Sequence, residues 1–173
     1  MTRFITRATL VASALALVLG AADLSAQAKP DFAGKWVLEP AAAAAPAAGG
    51  GGGRGGGRGG GLGQALAVTQ DATTVTLDYT AGGQNPTPVK LVYKLDGSPN
   101  SNSVPARGEM VVQTSKAAWE GSTLVVTTTT ANGEQKRVFA LDGGNLKITT
   151  TNPGNPNFGD GQPTTATATY KKG

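Results

Sequence analysis

From residue 66 onward the chain alternates apolar and polar side chains in one short run after another, and this two-residue period constrains the fold more than anything else in the sequence. Over residues 74–80, Val75, Leu77 and Tyr79 fall on one side, with Thr74, Thr76 and Asp78 on the other. Over residues 89–96, Val89, Leu91, Tyr93 and Leu95 share a face opposite Lys90 and Lys94. An extended strand sends successive side chains to opposite faces, so each run has one dry and one wet surface. Residues 31–39 follow the same rule, with Phe32, Trp36 and Leu38 together and Lys35 and Glu39 opposite. After the N-terminal segment no helical period of useful length appears.

Turn chemistry separates the runs. Asp71-Ala72, Gly82-Gly83, Glu120-Gly121 and Asp142-Gly143-Gly144 punctuate them, and Asn132-Gly133 is a strong two-residue hairpin signal. Strands are expected over residues 31–39, 66–70, 74–80, 89–96, 109–119, 124–130, 136–141, 146–151 and 164–171. Residues 97–105, rich in Ser, Asn and Pro, read as a loop. A set of about nine short strands at this spacing fits a sandwich or a barrel, and short connections favour antiparallel pairing between chain neighbours. The expected fold is therefore all-β: an antiparallel meander of about eight to nine strands, closed as an up-and-down barrel or a strongly curled sheet. An echo between residues 92–97 and 138–143 reads as a repeated hairpin, since two copies are too few for a repeat array. The run over 109–119 has an ambiguous register. If Trp119 points inward, so do Ala117, Ser115 and Gln113, which would leave room or a polar handle inside.

The N-terminus has a different character. Arg3 and Arg7 precede an apolar run over residues 8–22, and Ala26-Gln27-Ala28 supplies a small-x-small site. This is the pattern of an export signal over residues 1–28, cleaved after Ala28. The run is shorter than the ~20 residues a membrane span needs. Residues 29–173 are then expected as one periplasmic or secreted domain with no membrane span. Within it, residues 41–63 are low complexity, alanines followed by glycines with Arg54 and Arg58, and read as a flexible insertion.

Two absences exclude much chemistry. With no cysteine there are no disulfides and no lipid attachment through a cysteine, and with no histidine the commonest general base and metal ligand is missing. The formal charge of +4 is modest, and the two arginines of the glycine run lack interleaved aromatics, so no nucleic-acid partner is expected. No G-x-S-x-G occurs, and Ser115 and Lys116 would point to opposite faces of a strand. Asp71, Asp96, Glu120 and Asp142 sit at turns, no calcium-loop spacing is present, and no carboxylate is marked as buried. The composition points to a protein that is not an enzyme and carries no cofactor or metal.

Gly34-x-Trp36 in the first strand resembles the start of lipocalin-like (calycin-type) barrels. The wider pattern resembles a group of uncharacterised exported bacterial proteins: residues 31–36 as D-F-x-G-x-W, then Tyr93 to Gly97, Arg107 to Met110, Trp119 to Gly121 and Tyr170 to Lys172. The lipocalin Thr-Asp-Tyr loop motif is missing. The arginine that covers the tryptophan in lipocalins has no direct counterpart, so Lys171 or Lys172 is expected to cover Trp36. The resemblance implies a barrel whose interior holds a small apolar or amphipathic molecule, and Trp36, Tyr93, Trp119 and Phe139 are the candidate ligand-binding residues. Aromatics are also ordinary core material. A cell-envelope structural or protein-interaction module with a packed interior is the alternative.

Overall fold

The computed structural model describes residues 29–40, 62–82, 86–106, 108–154 and 161–173. The export signal over 1–28, Arg54 and Arg58 of the glycine run, and Arg107 lie outside the described residues. Ten strands form one antiparallel sheet: β1 (Gly34–Leu38), β2 (Ala65–Gln70), β3 (Thr74–Ala81), β4 (Thr87–Lys94), β5 (Asn100–Ala106), β6 (Glu109–Glu120), β7 (Thr123–Thr130), β8 (Gly133–Asp142), β9 (Asn145–Asn152) and β10 (Thr164–Lys172). Their order is β4-β3-β2-β1-β10-β9-β8-β7-β6-β5. Each strand pairs with its chain neighbour, and β1 pairs with β10 through Trp36↔Lys172 and Leu38↔Tyr170. The result is a nearly closed barrel, with a single break in the ladder between β4 and β5. Among the described residues there is no helix, so none long and apolar enough to cross a membrane.

The tenth strand is β5, in the segment that reads as a loop. Its inward positions carry Asn100, Asn102 and Val104, so the usual apolar alternation is absent. The asparagines instead close the seam. Val92 N–H donates to Asn102 Oδ1 at 2.8 Å, and Asn102 Nδ2 and Asn100 Nδ2 both donate to the Val92 carbonyl at 3.0 Å. Side-chain amides thus stand in for backbone partners where the ladder stops. Pro105 is tolerated because β5 is an edge strand.

Two further boundaries differ from the sequence reading. Residues 31–33 are not strand, and β1 begins at Gly34. They form a plug across one end of the barrel, held by the Gln70 side chain, which accepts from Phe32 N–H and donates to the Pro30 carbonyl, both at 3.0 Å. Trp36 Nε1 donates to the Phe32 carbonyl at 2.9 Å. The second difference concerns the low-complexity run. Leu62 and Gly63 at its end belong to the barrel, Leu62 fully buried and the Gly63 carbonyl accepting from Tyr170 Oη at 3.2 Å. Gly63 has φ +75, and a Cβ there would lie 2.6 Å from the Thr80 carbonyl oxygen, so only glycine fits.

The ambiguous register of β6 resolves with Trp119 inward, because Ala117 and Ser115 on the same face are buried. The outer surface has its own hydrogen bonds. Thr149 and Thr151 on β9 bond Thr167 and Thr165 on β10 at 3.1 and 3.0 Å.

Candidate functional site

The barrel interior divides into two ends because successive inward positions along β6, β8 and β9 change from apolar to polar. One register layer holds Trp119, Leu124, Phe139 and Ile148. The next holds Ala117, Val126, Arg137 and Thr150, and the next Ser115, Thr128 and Gln135.

The apolar end is filled by its own side chains. Phe32 stacks on Trp119 with centroids 5.6 Å apart and 13° between planes, and lies 6.3 Å from Phe139; Phe139 is 6.4 Å from Tyr93. Three of the four candidate residues, Tyr93, Trp119 and Phe139, are therefore brought together, but against one another and Phe32. They line neither of the two cavities described below. Trp36 stands apart from them, on the lining of the larger of those cavities, and is covered by Lys172 Nζ at 5.7 Å from the ring centroid. Of the two lysines expected to play that part it is Lys172; Lys171 pairs with Glu39 instead. Gly34, at φ +144, leaves the lysine stem room, since a Cβ there would meet Lys172 Cε at 3.2 Å.

The polar end is open. A cavity of about 200 Å³ is lined by Tyr79 and Ala81 from β3, Val104 and Pro105 from β5, Gln113 from β6, and Gln135 and Arg137 from β8. Arg137 is its charged group. It points inward because it shares the alternation of Gln135 and Phe139. Its Nη1 makes one long hydrogen bond, 3.5 Å to Tyr93 Oη, and its buried Nε has no partner. The buried Thr150 Oγ1, on the residue facing Arg137 across the ladder, also has none. The ion pairs among the described residues, Lys90–Asp78, Lys147–Asp142 and Lys171–Glu39, do not include Arg137.

All three tyrosines of the chain surround this guanidinium. Burial pushes the Tyr79 and Tyr93 phenols upward and that of Tyr170 up to about 12, with Arg137 opposing in each case. The phenols are thus neutral near pH 7 and give the cation no counter-charge. A half-buried guanidinium carries five donors, so the mouth is a donor-rich seat with an apolar wall of Val104, Pro105 and Ala81. No group of three His, Cys, Asp or Glu that could hold a metal exists among the described residues.

Arg137 and Gln135 did not emerge from sequence reasoning. The available signal was Arg137's place two residues before Phe139 in an alternating run. Gln113 was foreseen, conditionally, as an inward polar handle.

A second, larger depression of about 720 Å³ lies on the outer face of β1–β4. Its walls include the outward side chains of Lys35, Val37, Ala65, Ala67, Asp78 and Lys90. Val37 is exposed there.

No family model matches the chain, and no curated protein matches it by sequence. Among solved structures it is similar to crystal structures of two mutants of the fluorescent protein UnaG. One superposes with a TM-score of 0.51 at 15% identity over 82% of this chain and 95% of that chain. The other gives a TM-score of 0.47 at 22% identity over 63% of this chain and 70% of that chain. At these identities the likeness concerns the fold, a calycin-like barrel.

Proposed function

We propose that this protein is an exported, non-enzymatic binding protein that takes up a small amphipathic molecule without covalent chemistry at the open, polar end of its barrel. The observation that carries this reading is Arg137: a cation turned into a cavity, with a buried Nε that has no partner among the described residues. Buried charges are normally paired, and leaving one unpaired costs stability that a ligand recovers. Ligand sites combine apolar walls with a few convergent polar groups, and this mouth has Val104, Ala81 and Pro105 on one side and Gln113, Gln135 and Arg137 on the other. The seat is this polar rim, and the aromatic cluster of Phe32, Trp119 and Phe139 fills the opposite end of the barrel. The export reading rests on the signal pattern of residues 1–28.

The test is amide chemical-shift mapping of residues 29–173 with a fragment set containing both neutral and charged compounds. Shifts clustering on Tyr79, Val104, Gln113, Gln135 and Arg137 support the reading. Shifts confined to Ala65, Ala67 and Lys90, or no saturable shift at the mouth, sink it. The outer groove supports a second reading, docking of a protein partner on the exposed face of β1–β4, and shifts there on addition of a cell-envelope extract would favour it.

A further inference from the structure

Resting on the reading of the mouth as a ligand seat, we infer that the ligand class is a compact organic acid whose carboxylate is received by Arg137, with Gln113 beside it. Three observations on this chain converge.

The first is charge. Asp78 is tied to Lys90 on the outer surface, and Glu134 and Glu109 are exposed. The groups that the geometry puts beside Arg137 are uncharged hydroxyls: Tyr93 Oη at 3.5 Å, Thr150 facing it across the ladder, and Tyr79 on the same cavity wall. Among the described residues the seat therefore holds a positive charge with no negative one beside it, partly enclosed by protein. An anion gains more there than in solvent.

The second is donor geometry. The guanidinium fork matches a carboxylate bidentately, and Arg137 spends only one long hydrogen bond on the protein. Gln135 is fixed by its own amide, which donates to Asn152 Oδ1 at 2.7 Å. Gln113 makes no side-chain hydrogen bond among the described residues, so its amide is available to a second carboxylate oxygen.

The third is size. The cavity of about 200 Å³ is below the ~300–1,000 Å³ of ordinary ligand pockets. The space deeper in the barrel is occupied by the rings of Phe32, Trp119 and Phe139. A long alkyl chain would have to expel Phe32, which is bonded through its backbone to Gln70 and Trp36. The seat thus selects a ring or short chain bearing an acid group.

The experiment is calorimetric titration of the mature chain with benzoate, benzamide, hexanoate and dodecanoate, with the Arg137 Nε–H resonance followed by NMR. Benzoate is expected to bind about tenfold or more tightly than benzamide, as a charge-assisted pair should, and to shift the Arg137 resonance. Arg137→Gln is expected to abolish that preference, lowering benzoate binding to the level of benzamide. Arg137→Met, which removes an unpaired buried charge, should fold at least as well as the wild type and guards against a merely unfolded variant. Dodecanoate should bind no more tightly than hexanoate.

Equal binding of benzoate and benzamide at the mouth overturns the acid class while leaving the mouth as a ligand seat. Affinity climbing steadily to dodecanoate overturns compactness. Benzoate binding that survives in Arg137→Gln places the acid elsewhere and overturns the assignment. If neither benzoate nor any neutral fragment perturbs the mouth, this inference and the binding reading fall together.

Discussion

The two ends of this barrel are built from the same strands yet follow opposite rules. At one end Phe32, Trp119 and Phe139 fill the space between strands, Phe32 stacked on Trp119 and tilted against Phe139. At the other, Arg137, Gln135 and Gln113 occupy the equivalent inward positions and leave a cavity. The packed end gains from apolar burial at ~25 cal/mol per Å². The open end carries a charge whose Nε is unsatisfied.

The largest effect should come from emptying the packed end. Phe32→Ala is expected to cost about 3–5 kcal/mol in urea unfolding, with a red shift of tryptophan emission as Trp119 becomes wet. A loss well under that range would mean the two ends are not so different, and that the plug is an ornament. The seam between β4 and β5 comes next. Asn102→Ala removes the acceptor of the Val92 N–H and one of the two amides on its carbonyl, at about 1–3 kcal/mol, and should speed amide exchange at Val92 while leaving β8 and β9 protected. Exchange rising uniformly around the barrel would show that the seam is no weaker than the ladders.

Tyr170 sharpens the comparison through pH. Its phenol is pushed up to about 12 by burial, against an ordinary value of 10.0. Between these values the unfolded chain has lost the proton and the folded chain keeps it. Stability from this group is therefore complete below pH 10.0 and falls as pH rises toward 12. Tyr170→Phe should cost about 1 kcal/mol at neutral pH through the lost bond to Gly63 and flatten the alkaline limb of the stability profile. An unchanged limb would assign the alkaline loss to Tyr79 and Tyr93. The smallest effect belongs to the open end. Arg137→Met should change ligand-free stability by no more than about 1 kcal/mol, in the stabilising direction, measured by urea unfolding. A large destabilisation would make Arg137 a structural residue.

The fold was legible because a strand's period is two and its turns have their own chemistry. Val75, Leu77, Tyr79, Val89, Leu91 and Tyr93 alternate openly, and all but Tyr79 are buried as expected. The segment holding Asn100 and Asn102 was not legible. Those side chains face inward to bond Val92, a residue placed beside them only by barrel closure. The site was half legible. Tyr93, Trp119 and Phe139 face the interior as the alternation implies, but whether an aromatic interior is full or hollow depends on what else enters it, and Phe32 enters from outside the strand pattern.

The sequence by itself determined nine of the ten strands and their two faces, and favoured pairing between chain neighbours, because these depend on local spacing and short connections. Tertiary structure alone decided which end is filled and which is open. That outcome depends on contacts between residues far apart in the chain, such as Phe32 with Trp119 and Arg137 with Tyr93. No local period encodes how far a side chain reaches across a barrel, or what it finds there.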